Sequence, residues 1–64
     1  MTFKQIGYYL TAERDGMKFK IECMGRENGK DVFQLYIEKD GRKKWIYPYY
    51  DLMLAKLDCE SINV

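Results

Sequence analysis

The sequence predicts an α+β domain: a four-stranded antiparallel meander with one short C-terminal helix packed on one face. Three observations carry this. Apolar and polar residues alternate through Met17–Cys23 and Val32–Tyr47, the period of half-buried strands. Asp15-Gly16, Asn28-Gly29 and Asp40-Gly41 stand between the alternating runs, and such pairs accept the positive φ of tight hairpin turns. After Pro48 the pattern changes to LMLAKLDCE behind Asp51, a run of good helix formers with an acidic N-cap.

At the start, Thr2-Phe3-Lys4-Gln5 has the form of a capping box, and Phe3, Ile6 and Leu10 have helical spacing. Gly7 and the Tyr8-Tyr9 pair favour a strand instead. The expectation is a strand over Ile6–Glu13, with residues 2–7 open between helix and strand. A two-residue turn at Asp15-Gly16 then pairs Glu13 with Lys18, Thr11 with Lys20 and Leu10 with Ile21, which keeps the apolar sets in phase. At Asn28-Gly29 a two-residue turn would set Cys23 opposite Gln34, out of phase. A three-residue loop sets Cys23 opposite Phe33, Ile21 opposite Leu35 and Phe19 opposite Ile37, and is the expected arrangement.

The stretch VFQLYIEKDGRKKWIY admits two registers. A two-residue turn pairs Glu38 with Lys43 and Leu35 with Ile46, leaving Trp45 and Tyr47 outside. A three-residue loop with a glycine bulge pairs Glu38 with Arg42 and Leu35 with Trp45, which hides the two aromatics and exposes Arg42 and Lys44. A one-residue slip exchanges the two faces, so burial favours the bulged form. Across the meander this gives an outer row Glu13-Lys18-Glu38-Arg42 that alternates acid and base, a favourable facing of opposite charges.

Pro48 lacks a ladder N–H and is expected to end the last strand. In the helix that follows, Tyr50, Met53, Leu54 and Leu57 form an apolar stripe, expected to pack on the sheet because so short a helix needs tertiary support. Residues 60–64 are expected to form a flexible tail. The whole chain, 1–64, reads as one small domain.

Composition narrows the function classes. Eleven basic and ten acidic residues leave a net charge of +1, which does not suggest a general binder of nucleic acid or membrane. No apolar run is long enough to span a bilayer, and MTFKQ does not resemble a signal peptide; the expected location is the cytoplasm. With no histidine, and with Cys23 and Cys59 far apart, no metal site or cofactor is expected. Cys23 reads as a small core residue and Cys59 as a free thiol.

No nucleophile–base pair is present, the single serine is Ser61, and the carboxylates are scattered, so an enzyme is not expected. Gly29 and Gly41 are turn glycines, because the phosphate-loop spacing is absent. Two surfaces remain as candidate sites. The first is a protein interface of Tyr8, Trp45, Tyr47, Tyr49 and Tyr50 with Arg42 and Lys44 as rim charges; aromatic residues are common interface anchors. Its partner would be another protein or a second copy of the chain. The second is a nucleic-acid face of Lys18, Lys20, Tyr36, Arg42 and Lys44, although Glu13, Glu22 and Glu38 share it and repel phosphates.

The order of elements, a turn-rich meander followed by WIYPYYDLMLAKL, resembles the small N-terminal DNA-binding domains of some tyrosine-recombinase integrases. That resemblance implies a sheet placed in the DNA major groove and no catalytic residues. In size, in tyrosine and lysine content and in lacking an active-site motif, the chain also looks like accessory proteins of phages and mobile elements. The expectation drawn from all this is a small non-enzymatic binding protein, regulatory or inhibitory, with sheet-type nucleic-acid binding as the alternative.

Overall fold

The computed structural model describes residues 1–62 as one antiparallel sheet and one helix. The strands are β1 (Lys4–Ile6), β2 (Tyr9–Arg14), β3 (Met17–Glu27), β4 (Lys30–Lys39) and β5 (Arg42–Tyr49), and the helix is α1 (Leu52–Ser61). The sheet has five strands rather than four, in the order β1-β2-β3-β4-β5. The additional strand comes from the N-terminus, where Ile6 pairs with Tyr9 around Gly7-Tyr8. Gly7 opens that turn at φ 58, a conformation glycine adopts without steric cost. β1 is three residues long and exposed throughout, so it shows no apolar alternation by which to recognise it.

Turn chemistry sets the remaining hairpins. Asp15-Gly16, Asn28-Gly29 and Asp40-Gly41 all have both residues at positive φ, the type I′ geometry whose twist matches the strands it joins. All three are two-residue loops, closed by the pairs Arg14–Met17, Glu27–Lys30 and Lys39–Arg42. The first hairpin has the expected register, with Leu10 opposite Ile21.

In the second hairpin the tight turn and the in-phase core coexist. Gly25 faces Val32 while Cys23 faces Phe33, so Met24 is an extra residue in β3. This bulge restores the phase that the two-residue turn would have lost. Gly25, at φ 121, supplies the backbone freedom for it.

In the third hairpin the expected bulged loop is absent. Leu35 faces Ile46, Tyr36 faces Trp45 and Glu38 faces Lys43. Ile46 therefore joins the inner face in place of Trp45. Type I′ closure at Asp40-Gly41 fixes the register, and Trp45 finds its cover on Tyr36 instead of in the core. The ladder shifts only between Leu35 and Phe33, where Phe33 pairs with Tyr49, so the extra residue falls at Tyr47-Pro48, a cis peptide. β5 continues through Pro48 to Tyr49 instead of ending there; on an edge strand a missing N–H need not break a ladder bond.

Met17, Phe19, Ile21, Leu35 and Ile37 of the sheet form the core with Ala55 and Cys59 of the helix. Phe3, Leu10, Phe33, Ile46, Tyr49, Leu52 and Ile62 pack around it. α1 thus buries Ala55 and Cys59, with Leu52 and the capping Ile62 partly buried beside them, while the stripe Tyr50, Met53, Leu54 and Leu57 faces solvent, each more than half exposed. This reverses the expected orientation. The reason is volume: five large side chains already fill the centre of the inner face, so the middle of the helix brings in only a methyl group and a thiol while Leu52 and Ile62 pack at the edges of the cluster.

Three polar contacts hold the helix in that orientation. Asp51 Oδ1 accepts from the Met53 amide at 2.9 Å and caps the N-terminus. The Tyr49 hydroxyl donates to Asp58 Oδ2 at 2.6 Å. At the C-terminus Arg14 donates from Nε and Nη2 to the Cys59 carbonyl at 3.0 and 2.8 Å, and from Nη2 to the Ile62 carbonyl at 2.6 Å. These are carbonyls a helix end otherwise leaves unpaired, and a cation there also opposes the helix dipole. The same guanidinium lies 5.6 Å from the Phe19 ring centroid. The helix reaches Ser61 and Ile62 caps it, so residues 60–62 belong to the folded unit; residues 63 and 64 of the expected tail lie outside the described residues.

Arg14→Met is expected to lower stability by about 2 kcal/mol, the scale of charge-assisted hydrogen bonds lost from a partly exposed site. Arg14→Lys should recover part of the loss, since one ammonium cannot match the planar fork. Urea unfolding checks this; an unchanged midpoint in Arg14→Met would contradict the clamp.

Candidate functional site

The residues proposed for a single aromatic interface are distributed over the fold. Tyr8 sits in the β1–β2 turn and is 91% exposed. Trp45 lies on the face opposite the helix, edge-on to Tyr36 at 5.2 Å between centroids. Tyr47, two residues further along β5, is also exposed. Tyr49 is half-buried and committed to Asp58. Tyr50 is exposed at the junction of β5 and α1. Arg42 and Lys44 pair with Lys39 and Ile37, which puts them on the helix side near the Asp40-Gly41 turn, not on the outer face.

The same register change reorganises the nucleic-acid face. Lys18, Lys20 and Tyr36 do share the outer face, but Arg42 and Lys44 leave it. Lys43 and Trp45 replace them through their pairing with Glu38 and Tyr36. The acid–base row becomes Glu13-Lys18-Glu38-Lys43. Its alternation survives, though no pair within it closes to salt-bridge distance among the described residues.

Sequence reasoning missed the most unusual surface. Tyr50, Met53, Leu54 and Leu57 are 52%, 63%, 53% and 61% exposed. Side chains of this size, half in water, together present roughly 400 Å² of apolar surface. That reaches the range in which patches on monomers are commonly functional. The available signal was Ala55 and Cys59 at i, i+4 on the opposite side of the helix, two small residues that let a helix approach a filled sheet.

The stripe is a ridge between two depressions. One, of about 930 Å³, is bounded by Arg26, Lys30, Pro48, Tyr49, Tyr50 and Leu54. The other, of about 430 Å³, is bounded by Met1, Phe3, Met53, Lys56, Leu57 and Glu60. Two of the cations around them are in ion pairs. Arg26 pairs with Asp31 at 3.3 Å and the N-terminal amine with Glu60 at 3.4 Å. Lys56 Nζ lies 5.7 Å from the Phe3 ring centroid.

Among the described residues no group of three potential metal-ligating side chains occurs, and no helix is long and apolar enough to cross a membrane. Cys23 is exposed rather than core, on the lining of an open depression with Tyr8, Phe33 and Leu52, whereas Cys59 is buried. Burial pushes the Cys59 thiol up to about 11, with the Asp58 carboxylate adding to the rise and Arg14 opposing it. Burial, then the hydrogen bond to the Asp58 carboxylate, pushes the Tyr49 phenol well above its ordinary value. No family model matches the chain, and neither a curated protein nor a solved structure shows significant similarity to it.

Both raised groups have the same consequence. The unfolded chain loses these protons at lower pH than the folded chain, so their contribution is full below about pH 9 and is lost as pH rises. Urea midpoints are therefore expected to fall between about pH 9 and 11. Cys59→Ala and Tyr49→Phe should each flatten that decline, even where they lower the neutral-pH midpoint. An identical alkaline slope in both variants would contradict the assignment.

Proposed function

We propose that this chain is a small non-enzymatic binding protein of regulatory type, and that its protein interface is the outward face of α1, occupied by a second copy of the chain. The single observation behind this is the exposed stripe Tyr50, Met53, Leu54 and Leu57. Of the expected aromatics, Tyr50 belongs to it; Arg42 and Lys44, expected as rim charges, lie on β5 near the Asp40-Gly41 turn.

Three features favour a second copy as occupant. An apolar ridge and a depression stand side by side, so a two-fold axis seats each ridge in the other copy's depression, as an isologous contact requires. Two stripes bury roughly 800 Å², and the rims of the depressions carry the total to about 1,000 Å², the lower bound of a specific interface. The net charge of +1 gives two copies little mutual repulsion. A short chain with a small core also gains stability by association.

Sedimentation equilibrium is expected to show a concentration-dependent dimer for the wild type and a monomer for Leu54→Ser/Leu57→Ser. The variant should keep the intrinsic stability of its monomer within about 0.5 kcal/mol per site, the usual range for surface substitutions. Wild-type protein that remains monomeric to millimolar concentration would overturn this interface. So would a loss of several kcal/mol in the variant monomer, which would mean that the stripe is core.

A further inference from the structure

The sheet face opposite α1 carries a row that runs across all five strands: Lys4, Thr11, Lys20, Tyr36 and Trp45, each facing the next. No other element covers this face among the described residues. Lys20 Nζ lies 4.8 Å from the Tyr9 ring centroid and 5.9 Å from that of Tyr36. Tyr36 in turn meets Trp45 edge-on. A shallow depression of about 500 Å³ lies over the row, bounded by Lys4, Tyr9, Lys20 and Tyr36, with Glu13 and Glu38 also on its lining.

We propose that this face binds single-stranded nucleic acid, with Tyr9, Tyr36 and Trp45 as stacking surfaces and Lys4 and Lys20 as phosphate contacts. Aromatic rings on a sheet give sequence-tolerant stacking, and interleaved cations follow the backbone. Charge placement selects one strand over two. The aromatic row holds two lysines and no carboxylate. The rows on either side hold Glu22 and the pair Glu13 and Glu38. A single backbone can follow the lysines, whereas the second backbone of a duplex would meet those carboxylates. The neighbouring Lys18 and Lys43 are each opposite Glu38, so they add little to the phosphate track. Two phosphate contacts imply a shallow salt dependence, a log–log slope of about −1.4. This site is independent of the helix interface.

The chain's single tryptophan is Trp45, so its emission reports directly on the row. Titration with a twelve-nucleotide oligothymidylate at low salt is expected to quench Trp45 saturably, with a slope between −1 and −2 on adding salt. Lys20→Glu and Tyr36→Ala should each weaken binding about tenfold or more, and Lys20→Glu should do so without changing the fold by circular dichroism. Leu54→Ser/Leu57→Ser should bind as the wild type does, which separates this site from the proposed dimer. Three results would overturn the proposal: no binding to the oligomer at millimolar protein, unchanged binding by Lys20→Glu, or equal affinity for a duplex of the same length.

Discussion

The structure depends on how one short helix meets an already crowded sheet. Met17, Phe19, Ile21, Leu35 and Ile37 occupy the inner face, and interiors do not accept surplus volume without strain. Only Ala55 and Cys59 of α1 are fully buried. Two small side chains give a helix of this length little apolar burial of its own, which is why the polar contacts at its ends matter. Asp51 and Tyr49 fix the helix start and flank, and Arg14, projecting from the far end of β2, gathers the terminal carbonyls. The clamp links residues 45 positions apart in sequence and ties the N-terminal hairpin to the C-terminal element.

From this packing follows the division of the surface. If the small side of α1 faces in, the Leu and Met side faces out, and the protein has an apolar ridge it cannot bury alone. If β5 takes the register imposed by Asp40-Gly41, Trp45 goes to the opposite face and completes an aromatic and lysine row with Tyr36 and Lys20. The ridge is the proposed interface between copies, and the row is the proposed single-strand site. Because the two lie on opposite sides of the sheet, a dimer closed by the ridges leaves both rows accessible.

Much of the sheet was legible in the sequence. Met17–Cys23 alternates cleanly, and the three I′ turn pairs mark the hairpins. Cys23–Phe33 and Leu10–Ile21 could be paired from phase alone. Where the reading failed, two local rules disagreed. At Asp40-Gly41 the burial of Trp45 and the turn geometry favour different registers; the turn prevails and a bulge at Tyr47-Pro48 absorbs the difference farther along. At Asn28-Gly29 both rules were satisfied by placing the extra residue at Met24, away from the loop. The orientation of α1 was not legible, since Tyr50, Met53, Leu54 and Leu57 carry the same periodic signal whether they pack inward or outward. Which side turns in is decided by the volume left by residues on other strands, and no window of helix sequence contains that. Of the candidate residues, Lys18, Lys20 and Tyr36 share the outer face as the alternation implies and Tyr50 is exposed, whereas Leu54 and Leu57, expected to pack on the sheet, face solvent.

The orientation of α1 can be read from its own thiol. At 100° per residue, Cys59 projects from the side of the helix opposite the exposed stripe, and it is fully buried, whereas Cys23 is exposed. Labelling of the native protein at neutral pH with a small aromatic disulfide reagent, followed by peptide mapping, is the most direct measurement. The account predicts rapid modification of Cys23 and protection of Cys59 until the chain unfolds. Equal and rapid modification of both thiols in the folded protein would contradict it.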